Sequence, residues 1–350
     1  MTSASLTPRR GPASLVTARP RLILIVGMIA VILAVAGSLA FGSRAVSFPE
    51  IVEGMSLWFR GETPTELGAI AVQQRIPRTV LALLAGAALA LSGALMQAIT
   101  RNPIADPGIL GVNTGAALFV VSGIAFLGIS HVFQYLVLAL VGAALAAVFV
   151  YIVGSIGPGG ATPIKLALAG AATTAALSSL VSAILLPRAN VMNEFRFWQV
   201  GGVGAADWSS ITAIAPLLVG GAVIALVSGP ALNALAMGDD TACGLGVRVG
   251  RTRVIAAVAG VTLCAAVTSV AGPIGFVGLM VPHVVRLAVG PDQRWLLPLS
   301  AIGGAILLTV ADTLGRVIGH PGEVEAGILT AFVGAPVLVI IARRTRMRAL

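Results

Sequence analysis

Charged side chains are scarce in this sequence, at 10% of 350 residues, whereas soluble domains carry about 25%. So few charges cannot cover a globular surface, and 57% of the residues are hydrophobic. The composition therefore excludes a soluble domain and predicts an all-α integral membrane protein in contact with lipid. The net charge of +9 comes from arginines near the ends of apolar runs and at the termini, which indicates membrane topology rather than a nucleic-acid partner.

Residues suited to chemistry are also rare. The only lysine, Lys165, follows Pro163-Ile164 and precedes Leu166, so it lacks the Gly before it and the Ser or Thr after it that a P-loop for ATP requires. The motifs HExxH, GxSxG and GxGxxG are absent, and the two cysteines, Cys243 and Cys264, form no disulfide or metal-binding pattern. The three histidines are scattered. The sequence therefore predicts no catalytic residues, no metal site and no cofactor.

Ten apolar runs are predicted to cross the membrane as helices, because backbone polar groups in lipid must pair within the chain. They form one domain over residues 22–342, with basic cytoplasmic tails at 1–21 and 343–350. The predicted spans are 22–41, 79–99, 109–127, 133–153, 164–186, 209–227, 254–270, 274–289, 296–313 and 327–342.

The first run also resembles a signal peptide, since basic residues precede it and Ala34-Val35-Ala36 imitates a cleavage site. Its 20 residues exceed the roughly 7 to 15 of a signal core and are enough to span the bilayer. We therefore expect a retained first helix.

The distribution of basic residues supports ten spans with both termini in the cytoplasm. With that orientation, the cytoplasmic segments hold 15 of the 22 basic residues and the outer segments hold 7. This is the bias that the positive-inside rule requires. It also places the loop at residues 230–253 in the cytoplasm.

That loop carries Asp239, Asp240 and several arginines between two apolar runs, so it must lie in water. Residues 231–237 are good helix formers, and Gly238 is a suitable stop. Asp239 or Asp240 is a suitable cap for a second short helix over 241–245. The pair predicts a surface against which another protein could press, although an ordinary solvated loop remains the alternative.

Four charged residues stand out near the predicted outer face. Arg75 and Arg78 flank Pro77 at the start of the second span, where they either extend to lipid headgroups or present positive charge to a docking partner. Asp312 precedes Arg316 by four residues, the favourable order for an ion pair on one helix. Asp312 is also the main candidate for ion coupling within a span.

Several long motifs, in order, resemble the FecCD-type permeases, the membrane subunits of ABC importers for ferric siderophores, haem and cobalamin. The first is RIPRTVLALLAGAALALSGALMQAITRNPIADPGILGVNTGA at residues 75–116. The others are GLGVRVGRTR from Gly244, GPIGFVGLMVPHVVRLAVGPDQRWLLPLSA from Gly272 and ADTLGR from Ala311. The resemblance covers about residues 70–345.

This resemblance implies ten spans per subunit, two permease subunits around one path, and two cytosolic ATP-binding subunits. It also implies that Arg75, Arg78 and Arg316 receive acidic residues of an extracytoplasmic substrate-binding protein. The loop at 230–253 would form the coupling helices that contact the ATPases. The implied contact residues are Ala234, Met237, Gly238, Asp239, Ala242, Leu245 and Gly246.

Two positions depart from the family pattern. Glu325 replaces the second proline of the usual Pro-x-Glu-x-Pro, and Gln293 replaces histidine in the usual Asp-His-Arg. Glu325 adds an acid near Arg316, so it is expected to weaken the docking role of that arginine or alter which partner is accepted. Such changes also fit one half of a heterodimeric permease, so a homodimer and a paralogous heterodimer both remain open.

The sequence thus predicts a permease of the bacterial inner membrane that imports a ferric siderophore, with ATP hydrolysed by a separate subunit. Cobalamin or haem import by the same machinery is the alternative. A secondary carrier coupled through Asp312, or through backbone carbonyls at Gly272-Pro273 and Pro282, is a rival from another mechanistic class. An intramembrane enzyme is a third, for which no catalytic residues are present.

Overall fold

The computed structural model describes residues 20–157 and 163–346, and these residues form α-helices without any β-strand. A 3-10 turn at Pro107–Leu110 precedes the helix Val112–Ser122, and a π-helical segment, Gly123–Leu127, extends that helix. The helices are α1 Pro20–Ala40, α2 Phe48–Arg60, α3 Leu67–Thr100, α4 Val112–Ser122, α5 Val132–Ser155, α6 Pro163–Leu185, α7 Ala189–Val200, α8 Trp208–Val227, α9 Gly229–Ala236, α10 Asp239–Gly244, α11 Val249–Ala271, α12 Val277–Val289, α13 Gln293–Ile318 and α14 Ala326–Arg346.

Seven of the described helices are long and apolar enough to cross a membrane: α1, α3, α5, α6, α8, α11 and α13. Three shorter apolar helices, Val112–Leu127, Val277–Val289 and Ala326–Val339, coincide with the other three predicted spans. The all-helical fold is therefore confirmed for the described residues, whereas the ten-span count and the cytoplasmic termini stay predictions. Most of the two predicted tails, residues 1–19 and 347–350, lies outside the described ranges, and α14 continues to Arg346 rather than ending at residue 342.

The second predicted span began twelve residues too late. Helix α3 starts at Leu67 and holds Pro77 inside it, because Ala69 and Val72 are fully buried and fix the extra turns. A Cβ added to Gly54 of α2 would lie 2.8 Å from Cβ of Val72, so the two helices are in close contact. Helix α2 lies in the polar stretch at residues 42–74, between the first two predicted spans, where the sequence predicted no helix because Glu50 and Glu53 interrupt its apolar pattern.

Helix α3 is the centre of the bundle, with 78% of its most apolar stretch buried, compared with 17% in α1. It packs against α13 where glycines allow backbone contact: a Cβ on Gly86 would lie 2.1 Å from the carbonyl oxygen of Gly304. It meets α12 in the same way, at Gly93 and Gly278. In a membrane the hydrophobic effect does not drive helices together, so small residues that let the backbones pack closely stabilise the contact.

The loop at 230–253 contains the two predicted short helices, α9 and α10, with Gly238 between them at φ 115°. The predicted cap was wrong, because Gly238 occupies the capping position. Asp239 and Asp240 lie in the first turn of α10, where negative charge is favoured by the helix dipole. The predicted break at Gly272-Pro273 ends α11, while Pro282 lies inside α12 without interrupting it.

Candidate functional site

Arg78 and Asp312 form a buried ion pair at the end of the bundle where α2 lies, here called the α2 end. Arg78 Nε lies 3.0 and 3.1 Å from the two carboxylate oxygens of Asp312, and its Nη2 lies 2.8 Å from Oδ1. The remaining nitrogen, Nη1, donates to Glu323 Oε2 at 2.7 Å. The side chain of Asp312 is 1% exposed and that of Glu323 is 38% exposed. Arg78 therefore has one buried acidic partner and one that solvent reaches.

Arg316 approaches Asp312 from the following turn of α13, with Nε 3.2 Å from Oδ2, which confirms the predicted pair on one helix. Its other nitrogens donate to Ser38, Nη1 to the carbonyl oxygen at 3.1 Å and Nη2 to Oγ at 2.8 Å. Ser38 also exchanges a hydrogen bond of 2.7 Å with Thr79 on α3. These contacts join α1, α3 and α13 at the α2 end.

Arg75 binds backbone carbonyls rather than a carboxylate. Its Nη1 donates to Leu39 O at 2.8 Å and to Ala40 O at 3.2 Å, and its Nη2 donates to Arg44 O at 2.6 Å. Leu39 O and Ala40 O lie at the C-terminus of α1, where carbonyls lack partners within the helix and positive charge is favoured. The three predicted docking arginines thus lie together, with buried side chains that are already hydrogen-bonded within the chain.

All three arginines nevertheless line an open cleft of about 760 Å³ at the α2 end. Arg44 adds a fourth positive charge to the lining, and Asp207 and Glu323 are its two acids. The lining is therefore rich in arginine, which can bind an incoming carboxylate, although Asp312 and Glu50 already pair with three of the four arginines. Its lining residues are Ser43, Arg44, Trp58, Ala71, Gln73, Gln74, Arg75, Pro77, Arg78, Gly204, Ala205, Ala206, Asp207, Trp208, Arg316 and Glu323.

Glu325, one of the two departures from the family pattern, lies beside this cluster in the connection before α14. A Cβ added to Gly202 would come within 1.7 Å of its Oε2, so the carboxylate lies against the backbone there. Burial raises the pKa of Glu325, Arg78 opposes that rise, and the nearby charges of Glu323 and Asp312 add to it. The carboxyl thus adds unfavourable negative charge to the cluster.

The seven predicted coupling residues lie at the opposite end of the bundle and differ in exposure. Ala234 and Ala242 are buried and face the bundle interior. Met237 and Leu245 are 58% and 61% exposed. Positive φ angles at Gly238 and Gly246, which glycine adopts easily, turn the chain around α10, and Asp239 is the seventh residue.

Two polar connections hold this helix pair to the bundle, and the sequence did not predict them. Asn233 Nδ2 donates to Asp292 Oδ1 at 2.6 Å, and the backbone N–H of Gln293 donates to Asn233 Oδ1 at 2.8 Å. Asp239 accepts hydrogen bonds from Arg101 and, at 3.0 Å, from Arg253. These partners are distant in sequence, and the polarity of Asn233 beside Leu232 and Leu235 was the only available signal.

A second cavity, of about 360 Å³, lies between α4, α6 and α7. Its polar lining is contributed by Asn113, Thr114, Ser178, Ser182 and Gln199, and none of its described lining residues is ionisable. In the described part of the chain no group of three histidine, cysteine, aspartate or glutamate residues is arranged to hold a metal.

Comparison with known proteins gives consistent matches over nearly the whole chain. A sequence model of the FecCD transport family matches residues 23–344. The ferric enterobactin transport system permease protein FepD of Escherichia coli K12 is 42% identical over 318 residues, which cover 91% of this chain and 93% of FepD. The probable siderophore transport system permease protein YfiZ of Bacillus subtilis is 41% identical over 311 residues, which cover 89% of this chain and 92% of YfiZ.

Other relatives are named as permeases for ferric citrate, hemin and cobalamin. Among solved structures, a putative metal-chelate type ABC transporter in an inward-facing conformation superposes with a TM-score of 0.78. It is 26% identical, and the match covers 93% of this chain and 99% of that one.

Proposed function

Because the chain belongs to the FecCD transport family, we propose that it is the permease subunit of an ATP-driven importer of a ferric siderophore. It is a multi-pass permease of the bacterial inner membrane. The observation that carries the proposal is that an arginine-lined cleft at the α2 end is combined with an exposed helix pair, α9 and α10, at the other end. The similarity to FepD, named for ferric enterobactin, supports the choice of cargo.

In the proposed orientation ten helices span the membrane and both termini are cytoplasmic. The α2 end then faces outward and the α9–α10 pair faces the cytoplasm. The excess of basic residues in the predicted cytoplasmic segments supports this orientation.

At the outer face, Arg75, Arg78 and Arg316 are proposed to receive carboxylates of a substrate-binding protein. The open cleft that these residues line, with Arg44 as a fourth arginine, supports the proposal. An incoming carboxylate would compete with Glu323 for Nη1 of Arg78, since Glu323 is the solvent-accessible partner. Asp312 would stay in place and hold the guanidinium groups for docking.

At the cytoplasmic face, the exposed side chains of Met237 and Leu245 are proposed to contact two ATP-binding subunits. Ala234 and Ala242 would position the two helices by packing inside the permease, and Gly238 and Gly246 would set their turns. A second permease subunit, identical or paralogous, would complete the path. The exposed apolar faces of α1, α5 and α6 are surfaces for lipid or for that subunit.

The proposed mechanism is alternating access. A loaded binding protein docks outside, ATP binding draws the two ATPases together, and the coupling helices pass that motion to the bundle. The uncharged lining of the cavity near α6 fits a permease that leaves recognition of the chelate mainly to the binding protein.

Cobalamin or haem import is the second candidate, favoured by relatives that carry those names. An ion-coupled carrier is less well supported. Asp312, its main candidate for coupling, is buried and already paired with both Arg78 and Arg316.

Uptake of radioactive iron, supplied as several ferric siderophores alongside labelled cobalamin, tests the proposal in a deletion strain and its complemented parent. Each assay is run with ATP depleted and, separately, with the proton gradient collapsed. We expect deletion to abolish uptake of one ferric siderophore, with dependence on ATP. Loss of cobalamin uptake alone would show that the cargo is cobalamin rather than a ferric siderophore. Dependence on the proton gradient alone would contradict the ABC mechanism.

A further inference from the structure

Arg101, the residue that ends α3, has an unusual backbone conformation. Its φ is 51°, in the left-handed region that L-amino acids with a side chain disfavour, and its N–H donates to Gln97 O. Glycine is the usual residue where a helix ends in this way. Among the described residues that are not glycine, only Arg101 and Phe276 have a positive φ. An interaction of the side chain is therefore needed to explain why arginine, and not glycine, occupies this position.

The side chain supplies one, because Arg101 Nη2 is hydrogen-bonded to Asp239 Oδ1 in the first turn of α10. Arg253 of α11 donates to the same oxygen at 3.0 Å. One carboxylate oxygen thus connects α3, α10 and α11. The neighbouring Asp240 is exposed and makes no such contact within the described structure.

These contacts contribute little to folding. The side chains of Arg101, Asp239 and Arg253 are 39%, 44% and 40% exposed, and ion pairs this accessible to water are weak. An unfavourable backbone conformation kept for a weak interaction indicates a functional role more than a stabilising one.

The geometry of α3 indicates what that role is. The helix runs without a break for 34 residues, with Arg75 and Arg78 near its start and Arg101 at its end. At 1.5 Å per residue, the distance from Arg78 to Arg101 is about 35 Å. Backbone contacts with α13 and α12 at Gly86 and Gly93 leave it no room to bend freely. A displacement at one end would therefore reach the other end.

We propose that the Arg101–Asp239 contact is the joint through which α3 and the coupling helix α10 move together. The inference rests on the proposed function, in which the α2 end receives a binding protein and α10 meets an ATPase. Arg101 acts here as a positioning residue, because it touches neither cargo nor nucleotide. It links docking outside to hydrolysis inside by a continuous physical path.

The test is Arg101→Gly in the assembled importer. This change removes the joint and also relieves the backbone, so the thermal unfolding midpoint of the permease should not fall. We expect the purified complex to keep hydrolysing ATP, while uptake of radioactive iron, supplied as the chelate that the parent strain takes up, falls at least tenfold. Asp240→Asn is the matched control and should transport like the wild type.

A double variant checks that the two residues act through one contact. Asp239→Asn should also reduce uptake, and combining it with Arg101→Gly should cause no further loss. If Arg101→Gly takes up iron like the wild type, or if the double variant loses more uptake than either single variant, the proposed role of the Arg101–Asp239 contact is wrong. The proposed function would be unaffected by either result. A wild-type permease that forms no ATP-hydrolysing complex would overturn the proposed function and the joint with it.

Discussion

Arg78 on α3 and Asp312 on α13 lie 234 positions apart in the chain and are joined by three hydrogen bonds of 2.8 to 3.1 Å. Arg316 contacts the same carboxylate at 3.2 Å, so one buried aspartate is shared by two arginines. The shared carboxylate offsets the charge of two neighbouring arginines in the buried part of the α2 end.

Asp312→Asn should strongly destabilise the permease. Removing one partner of a buried ion pair leaves an uncompensated charge, which costs about 3–5 kcal/mol. The thermal unfolding midpoint of the purified protein in detergent, followed by tryptophan fluorescence, should fall clearly. Glu62→Gln, an exposed carboxylate at the same end, should leave the midpoint unchanged, and equal midpoints for the two variants would contradict this role of Asp312.

Gly86→Ala should weaken the packing of α3 on α13. The new Cβ would lie 2.1 Å from Gly304 O, and a backbone atom cannot move aside as a flexible side chain can. A cost of about 1–3 kcal/mol is expected from such overpacking. Gly220→Ala on α8 is the matched control, since a Cβ there meets nothing within 4 Å, and it should be neutral or slightly stabilising.

Glu323→Gln should strengthen docking of the binding protein, because it weakens the hold of residue 323 on Nη1 of Arg78. A gain is more informative than a loss after charge reversal at Arg78, which would also disturb the fold. Competing with a pair whose carboxylate is 38% exposed costs roughly 0.4–1 kcal/mol, so the dissociation constant should fall about twofold to fivefold. Surface plasmon resonance on permease in nanodiscs measures it; an unchanged constant would argue against docking at Arg78.

Met237→Asp and Leu245→Asp should prevent stable association with the ATPases, since each places a charge on an exposed apolar contact of the helix pair. Co-purification of the subunits measures the effect, and the unfolding midpoint of the permease alone should not change. Ile318→Asp, an exposed apolar position at the α2 end, is the control and should co-purify normally. Normal association of both loop variants would place the ATPase contact elsewhere.

Glu325→Gln should make stability less dependent on pH. Burial raises the pKa of Glu325 in the folded protein above its ordinary value of 4.5, so the folded state binds this proton more tightly than the unfolded state does. Stability from this group is therefore present at acidic pH and lost as the pH rises through the folded-state pKa. The variant should melt higher than the wild type at pH 7.5, and the two midpoints should converge on acidification.

Glu62→Gln again serves as the control and should follow the wild type at every pH. A constant difference between Glu325→Gln and the wild type across the pH range would mean that the substitution acts through packing rather than through charge.

The sequence alone determined the class of the protein and much of its layout. Few charges and long apolar runs predict helices in lipid, because backbone polar groups have no water there and must pair within the chain. The motifs around Arg75, Gly244 and Gly272 indicate the family. The short helices at 230–253 were predictable because propensity and Gly238 act locally. The pair Asp312–Arg316 was predictable because four residues make one helical turn.

Only the tertiary structure decided what those residues touch. The partners of Arg78 and Asp239 come from distant helices, and hydropathy does not record such contacts. Helix α2 and the start of α3 escaped prediction because burial of Val72 against Gly54 outweighs the polar residues around them. Likewise, Ala234 is buried while Met237, the residue that follows α9, is exposed because of the way α9 packs on the bundle, and the sequence of so short a helix does not specify that packing.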